Sequence, residues 1–531
     1  MFKVTAAGKP VDDTRFLVDP HWWLFCFLIV TLSFLLLALE PLPRLFIGDS
    51  ESYLFTAVSG WIPPDRSFLY GYLIRWSSLW TGSLTSLLIL QAFLGAITAI
   101  LVALICRWIF GLASGLSYFF GVLCLLDPLE LVWHRYVMTE TVSLFVYAFV
   151  LLFSFSYLKQ KRLWQLAVVQ ILSVVLISFR MSYLLVVQMS TLLLPLIAFL
   201  PEIRTAFWQH SSIFLKTSGL RSVGLQLAFS ILLMFALHQG YRKLNGRLAG
   251  REPGLLHNSG FSILTTWGPV LKPTDSPDGR LSELIAKGNE FRLNDLSSRD
   301  SQLYSPGGLV DRWRKIESNT AVSNQVAKQT ALNAVLRRPQ DIVTLGAKTF
   351  LHYWNFKHIR RQAKIELGKA GNNWPKKENW NIAARFHLQP PSARENKTST
   401  LSQRHFLGSR PYYYVVLLSP FVCVALIFFM HEGFVFLLFL HSCVLLGTVT
   451  ILSKEVSVRY LQPMSLLTIL IFAALLKTMI DRRGRHRLPS TYSGSNALDV
   501  RAARWKDVKP TIDGLQAPTS SSANTEKLNA E

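Results

Sequence analysis

Residues 21–54 have the sequence HWWLFCFLIVTLSFLLLALEPLPRLFIGDSESYL. Its first part, His21–Leu39, is an apolar run of the length that an α-helix needs to cross a bilayer. The run has no cleavage site of small residues, so it predicts a retained membrane span and not a signal peptide. A polar turn with two carboxylates, Asp49 and Glu51, follows directly. The sequence therefore predicts acidic side chains at the end of a membrane helix.

Apolar runs of similar length recur along the chain and predict about ten spans. Half of the 531 residues are hydrophobic and 16% are charged, and the mean hydropathy is +0.31, which is typical of polytopic membrane proteins. We therefore predict an all-α membrane protein with one large soluble segment. The predicted spans are approximately His21–Leu39, Ser83–Cys106, Ile109–Leu126, Thr141–Leu158, Trp164–Phe179, Tyr183–Leu200, Ser222–Gln239, Tyr412–Met430, Gly433–Leu452 and Leu461–Ile480.

The distribution of Lys and Arg predicts the orientation of these spans. Short loops on the N-terminal side hold about twice as many Lys and Arg residues as short loops on the other side, which indicates cytoplasmic N- and C-termini. The net charge of +23 does not by itself indicate nucleic acid, because lipid phosphates and cytoplasmic loops also favour cations. The five cysteines all fall in apolar segments and are predicted to be buried small hydrophobes.

The spans divide the chain into four predicted parts. Residues 1–237 form an N-terminal membrane domain whose first outer loop is 40–82, and 238–411 form a soluble, outward-facing segment. Residues 412–480 form the last membrane helices, and 481–531 a disordered basic cytoplasmic tail. Within the soluble segment, residues 308–355 are predicted to be mainly helical, with one helix at Gln340–Trp354 after Pro339.

Three acidic residues, at two span ends, are candidates for the site. Asp49 has two interpretations: it caps a short helix that ends near Gly60, or it accepts a proton from a substrate hydroxyl. Glu51 lies two residues on and would point in a different direction on a helix, so Asp49 is the preferred base. Glu140, after Thr139, is either a helix-start carboxylate or a second acid of the same site.

Three arginines lie at the same predicted level. Arg180 interrupts an apolar hairpin, Arg459 precedes the last span, and Arg66 lies in the first outer loop. Arg180 and Arg459 each either extend their charge to the lipid headgroups or bind a lipid phosphate with the planar guanidinium, and Arg66 is a further cation at that level. Since ionisable groups at span ends are unfavourable unless paired or hydrated, we expect them to share a polar cavity.

Several kinds of site are not indicated. The histidines have no HExxH spacing, and the chain has no Walker loop, no Rossmann glycine pattern and no GxSxG sequence. No cofactor is therefore assigned from the residues, and a divalent metal stays an open alternative.

Four short motifs in order resemble the multi-span GT-C glycosyltransferases. They are the GDSxxY that contains Asp49 and Tyr53, the Thr-Glu at 139–140, the Arg180 hairpin and the Arg-Tyr-x-x-Pro that contains Tyr460. The layout is most similar to the bacterial branch related to protein mannosyltransferases and lipid A aminoarabinose transferases. The segment 238–411 contributes no recognised motif.

The resemblance implies a GT-C-like fold and a hexosyl or pentosyl transferase of the bacterial inner membrane, with its active site outward. The donor is expected to be a polyprenyl-phosphate sugar, transferred with inversion to a glycolipid, polysaccharide or protein. In that scheme Asp49 is the base, Arg180, Arg459 and Arg66 hold the phosphate, and Glu51 and Glu140 support them. Tyr53 and Tyr460 are assigned to substrate binding; no nucleic acid is expected.

Other classes of function remain as alternatives. A transporter or flippase of a lipid-linked substrate would have span repeats and charges near the middle of the membrane. A non-catalytic assembly protein would act through 238–411 and tolerate loss of the span-end acids. A polysaccharide polymerase or ligase would use outer-loop arginines and no carboxylate base.

Overall fold

A computed structural model describes residues 19–46, 48–200, 218–369, 380–388, 399–430 and 432–486. In these ranges all regular secondary structure is helical, and the β-type pairing is an isolated parallel bridge between Arg44 and Tyr136. The prediction of an all-helical polytopic membrane protein is confirmed at this level. The predicted disordered tail begins at residue 481, but the last helix continues to His486, because hydropathy marks only the apolar part of a helix. The rest of the predicted tail lies outside the described residues.

The helices fall into an apolar set and a polar set. The apolar set and its short connections are α1 (Pro20–Leu39), α2 (Asp49–Ser59), α3 (Leu69–Ile74), α4 (Thr85–Leu104), α5 (Ser114–Leu125), α6 (Pro128–Leu131), α7 (Glu140–Gln160), α8 (Leu163–Phe179), α9 (Leu184–Ala198) and α10 (Ser218–Ala249). The soluble segment holds α11 (Ser259–Thr266), α12 (Gly279–Ala286), α13 (Arg299–Tyr304), α14 (Leu309–Ile316), α15 (Thr320–Arg337), α16 (Pro339–His352), α17 (Phe356–Glu366), α18 (Trp380–Arg385) and α19 (Leu401–Gly408). Three apolar helices end the described chain: α20 (Arg410–Phe429), α21 (Gly433–Ile451) and α22 (Gln462–His486).

In the described part of the chain, fewer helices than the ten predicted have the length and apolar character of a membrane span. Within the described ranges, 8 helices are long and apolar enough to cross a membrane, or up to 9 if a bent pair counts as one span. That pair is the predicted third span: α5 ends early and turns by 41° into Pro128–Arg135, because Asp127 caps a new helix that begins at Pro128. The predicted fifth span corresponds to α8, which has 17 residues.

Helix α7 lies at the centre of the bundle. Of its most apolar stretch 78% is buried, compared with 17% for α10. A polar contact joins α7 to two neighbours: His441 of α21 lies 2.8 Å from the Tyr147 hydroxyl and 2.6 Å from the Ser190 hydroxyl of α9. Hydrogen bonds of this kind hold membrane helices together where apolar contacts alone have little specificity.

Helix α10 extends beyond the predicted limit of the membrane domain. The prediction ended that domain at residue 237, whereas the helix continues to Ala249. Hydropathy marks only the apolar part of a helix, and residues 241–249, YRKLNGRLA, are polar residues of which several favour helix. The soluble segment therefore begins after α10.

The soluble segment has its own apolar core and packs on one end of the bundle. Phe261, Leu264 and Trp313 are among the buried residues of that core. The Trp267 indole donates a hydrogen bond to the carbonyl of Ile451, at the end of α21. We call this end of the bundle the loop side. It is where α1, α8 and α21 end and α4, α7, α20 and α22 begin.

Candidate active site

A cavity of about 730 Å³ lies on the loop side, between the bundle ends and the soluble segment. Its walls come from the loop and helix after α1, from α13, α16 and α17, and from the connection between α21 and α22. It is lined by Phe46, Gly48, Asp49, Glu51, Ser52, Asp65, Arg66, Leu296, Ser297, Asp300, Ser301, Tyr304, His352, His358, Gln362, Ile365, Glu366, Lys454, Glu455, Val456, Arg459 and Tyr460. A large concave site with many ionisable groups is the usual form of an active site.

Helix α2 brings Asp49 to this cavity. Gly48 precedes the helix with a φ of +72°, a backbone conformation that side chains disfavour, and Gly60 ends it with a φ of +79°. The Ser50 hydroxyl accepts a hydrogen bond from the backbone N–H of Phe46 and donates one to the Val137 carbonyl at 2.8 Å. The start of α2 is therefore fixed both to its own loop and to the loop before α7.

Both carboxylate oxygens of Asp49 are bound by arginines. Its Oδ1 lies 2.5 Å from Nη2 of Arg66, and its Oδ2 lies 2.8 Å from Nη1 of Arg459. The Asp49 side chain caps no backbone group in α2. The capping interpretation of this residue therefore does not apply in this structure, and the carboxylate joins the loop between α2 and α3 to the segment just before α22.

These contacts control the charge of Asp49. Burial raises the pKa of its carboxyl, but the nearby charges of Arg66 and then Arg459 lower it by more, so the pKa lies well below its ordinary value. The carboxyl of Asp49 also raises the pKa of the Arg66 guanidinium, against the lowering effect of burial. At neutral pH the site thus holds an ionised carboxylate between two guanidinium cations.

A chain of charges continues from Arg459 into the bundle. Nε of Arg459 lies 3.2 Å from Oε1 of Glu140, and the same oxygen lies 3.5 Å from Nη2 of Arg180. Arg180 in turn donates a hydrogen bond to Gln462, whose amide donates one to Glu130. Glu140 and Arg180 are 1% and 8% exposed, so they lie behind the cavity wall and hold Arg459 from the back.

The two predicted tyrosines have different positions. The guanidinium of Arg66 lies 5.2 Å from the ring centre of Tyr53, which is buried and packs edge-on against Tyr70. Tyr53 therefore supports Arg66 from behind the wall. Tyr460 lines the cavity and lies beside Arg459, whose guanidinium is 5.1 Å from the Tyr460 ring centre.

The structure therefore brings the predicted site residues into one connected group. Asp49, Glu51, Arg66, Arg459 and Tyr460 line the cavity, and the other three contact them from behind. Glu51 borders the same cavity as Asp49 although the two lie two residues apart on α2. Both residues can border the cavity because it surrounds the first turn of α2, from Gly48 to Ser52.

Sequence reasoning missed two further acids of the cavity. Glu366 of α17 and Glu455, between α21 and α22, both line the cavity. In α17 the buried positions are Ile359, Ala363 and Glu366, a spacing that marks one helix face. An acid where this apolar stripe calls for a hydrophobic residue was a signal available in the sequence.

The soluble segment closes one side of the cavity through α13. The Tyr304 hydroxyl donates a hydrogen bond to Asp65 at 3.2 Å and accepts one from Lys454 at 2.6 Å. Lys454 also lies 3.3 Å from a carboxylate oxygen of Asp300. These contacts join the loop between α2 and α3, α13 and the loop after α21 around one opening.

The chemistry of the cavity follows from these groups. Arg66, Arg459 and Lys454 supply positive charge for an anion, and Asp49 and Glu366 are carboxyls in different surroundings. Within the described ranges there is no group of three or more His, Cys, Asp and Glu side chains placed to hold a metal ion. The side chains present suit anion binding together with proton transfer.

Comparisons with known proteins identify no family and no related structure for this chain. No family model matches the chain, and no curated protein or solved structure matches it.

Proposed function

We propose that this protein is a membrane glycosyltransferase. It moves a sugar from a polyprenyl-phosphate donor to a glycolipid, polysaccharide or protein acceptor on the loop side, with inversion at the anomeric carbon. The observation that supports the proposal most is the placement of Asp49 between two arginines in a large cavity at the end of an apolar bundle. In this proposal the loop side faces out of the cytoplasm.

The donor phosphate binds to Arg66 and Arg459. Both guanidiniums line the cavity, and their planar arrays of N–H donors match the oxygens of a phosphate. Lys454 provides a third cation on the same cavity. The polyprenyl chain then lies against the apolar bundle, which places the bond between the sugar and the phosphate at the level of Asp49.

Asp49 acts as the base that accepts the proton of the acceptor hydroxyl. The acceptor oxygen attacks the anomeric carbon, the bond from that carbon to the phosphate oxygen breaks, and the phosphate leaves with the electron pair. While both arginines hold Asp49, its low pKa makes it a weak base. A bound phosphate competes for the same guanidiniums, and this competition raises the pKa of Asp49 toward its ordinary value when the donor is present.

The proposal is tested with the purified protein in liposomes, a radiolabelled polyprenyl-phosphate sugar and a mixed fraction of envelope acceptors. We expect Asp49→Asn to lower the rate of sugar transfer by about 10²–10⁴-fold, as expected for loss of a catalytic base. Asp311→Asn, at the surface of the soluble segment outside the cavity, is the matched control and should retain transfer. Equal transfer by Asp49→Asn and the wild type would exclude this role for Asp49.

The same assay separates the alternatives. A flippase would move the labelled lipid between leaflets without breaking its bond to the sugar. A non-catalytic assembly protein would do neither, and Asp49→Asn would then leave its partners bound. Failure of the wild type to release or transfer the sugar from any polyprenyl-phosphate donor would overturn the proposal.

A further inference from the structure

Glu366 is a buried acid on the wall of the cavity. It is 1% exposed and lies at the last position of α17, on the same face as Gln362, which also lines the cavity. Among the described residues, neither carboxyl oxygen of Glu366 has a hydrogen bond of good geometry, although the side chains of Ser457 and Gln362 lie close enough to lower the pKa of this carboxyl. Because buried polar groups are nearly always paired, the Glu366 carboxyl can bind a group that enters the cavity.

The surroundings of Glu366 favour its neutral form. Burial and then the negative charge of Glu455 raise the pKa of Glu366 to about 8. Burial and then Asp300 also raise the pKa of Glu455, which accepts a hydrogen bond from Gln362 at 3.0 Å. Near neutral pH, Glu366 therefore carries a proton that it can donate.

Charged and titratable groups act on Glu366 from several elements. The Ser457 side chain, the charge of Arg459 and the Gln362 side chain, in that order, lower the pKa of Glu366 and oppose the effect of Glu455. Three buried tyrosines, which carry no charge near neutral pH, also interact with Glu366: Tyr136 before α7, Tyr353 between α16 and α17, and Tyr413 in α20. Two histidines, His352 and His358, line the same cavity; burial, His352 and Arg361 lower the pKa of His358, so it titrates on the acid side of neutrality.

The cavity thus holds two carboxyls in opposite states. Asp49 is ionised because arginines surround it, and Glu366 is protonated because it is buried beside another acid. Arg459 contacts Asp49 directly and acts on Glu366 through its charge. Two titratable groups whose surroundings push their pKa values apart are the usual arrangement for a base and an acid in one reaction.

We propose that Glu366 is the general acid of the sugar transfer and protonates the lipid phosphate as it leaves. This role rests on the proposed glycosyltransferase function. The acceptor hydroxyl gives its proton to Asp49 as its oxygen bonds to the anomeric carbon. The bond from that carbon to the phosphate oxygen breaks, its electron pair stays on that oxygen, and the oxygen takes the proton of Glu366. One proton is gained and one is lost by the protein, so transfer of a proton from Asp49 to Glu366 through cavity water restores the starting state.

The test is the pH dependence of kcat for wild type and Glu366→Gln, with a radiolabelled polyprenyl-phosphate sugar in liposomes. The wild-type rate should fall as the pH rises through the pKa of Glu366, because only the protonated carboxyl is active. Glu366→Gln should lower kcat by about 10²-fold, leave the KM for the donor within a few-fold, and lose the alkaline fall in rate. Glu366→Asp, which keeps a carboxyl, should recover part of the lost rate.

A second variant assigns the alkaline fall to Glu366 itself. Glu455→Gln removes the negative charge that raises the pKa of Glu366, so the fall should move to lower pH and not disappear. Glu290→Gln, which is exposed in the soluble segment outside the cavity, should keep the wild-type profile. A thermal unfolding curve for each variant shows whether it is folded at the assay temperature.

The outcomes separate this inference from the proposed function. If the wild type transfers no sugar, both are overturned. If the wild type transfers sugar and Glu366→Gln has the same kcat, or keeps the same alkaline fall at lower kcat, the general-acid role is overturned and the glycosyltransferase proposal stands.

Discussion

Asp49 joins two parts of the chain that lie 410 residues apart in sequence, through its contact with Arg459. A partly buried ion pair of this kind is a weak source of stability, because removing the two charges from water offsets much of their attraction. A role of these charges in binding an anion explains the ion pair at the cavity wall better than a contribution to stability does. In the proposed function, Arg66 and Arg459 exchange Asp49 for the donor phosphate, so the same pair of arginines serves the empty and the donor-bound states.

Glu366 and Asp49 also affect stability with opposite dependence on pH. The pKa of Asp49 is lowered in the folded protein, so its contribution is present above its unfolded pKa of about 4 and is lost as the pH falls. The pKa of Glu366 is raised to about 8, so its contribution is full below its unfolded pKa of about 4.3 and is lost as the pH rises to about 8. At neutral pH, Glu366 therefore destabilises the fold relative to an uncharged side chain.

Thermal unfolding in detergent from pH 5 to pH 8.5 tests whether the contribution of Glu366 to stability falls as the pH rises. Relative to the wild type, Glu366→Gln should gain stability as the pH rises, so that the difference in Tm between them increases by several degrees and then levels off near pH 8. Glu290→Gln should follow the wild type at every pH. Parallel curves for wild type and Glu366→Gln would show that Glu366 does not keep its proton in the folded protein.

The location of the site residues was predictable from the sequence, but the contacts between them were not. Carboxylates and arginines at the ends of apolar runs predicted that Asp49, Glu140, Arg180 and Arg459 would share one end of the bundle, and the structure places them in contact. The pairings themselves join distant residues and follow from packing, which local patterns do not encode. Glu366 was missed because α17 is rich in basic residues and resembles a solvated helix, so the acid at the apolar spacing of Ile359 and Ala363 was not recognised as a buried position.

At the scale of the elements, the position of Asp49 depends on how closely α2 packs against α3. A Cβ atom added at Gly71 of α3 would lie 2.5 Å from the Cβ and Cγ2 atoms of Thr56 in α2 and 3.3 Å from the carbonyl of Tyr53. Contacts that short force a shift of one helix. Since Asp49 starts α2, such a shift moves the carboxylate relative to Arg459.

Gly71→Ala should therefore lower transfer by at least about tenfold, because small displacements of catalytic groups have large effects on rate. It should also lower the Tm. Gly115→Ala in α5 is the matched control, since a Cβ there meets nothing within 4 Å and the backbone φ is not positive. Transfer rates that are equal in the two variants would show that the packing of α2 on α3 does not position the site.

The ends of a helix were predictable where a glycine or a proline marks them in the sequence. Gly60 ends α2 where the sequence predicted, and Pro339 starts α16, predicted at Gln340–Trp354. The bend after α5 and the extension of α10 were not predicted. In both cases hydropathy gives the length of an apolar run, whereas caps and polar helix-forming residues decide where the helix begins and ends.

At the scale of the whole molecule, the apolar bundle and the soluble segment each supply part of one cavity. The described chain has a helix at each predicted span position, because the length of an apolar run is set by the thickness of the bilayer and is visible in any window of sequence. The way in which α13, α16 and α17 close over the bundle was not predicted, since no motif in that segment marks its contacts. Glu366 and Tyr304 come from this segment, so the soluble part completes the candidate active site.

The central claim is that this cavity binds the phosphate of a lipid-linked sugar, and a structure with a bound non-hydrolysable polyprenyl-phosphate sugar tests it most directly. We predict that the phosphate oxygens lie within hydrogen-bond distance of the guanidiniums of Arg66 and Arg459, with the anomeric carbon facing Asp49 and the polyprenyl chain on the apolar bundle. A phosphate bound outside this cavity, with Asp49 still held by both arginines, would contradict the claim.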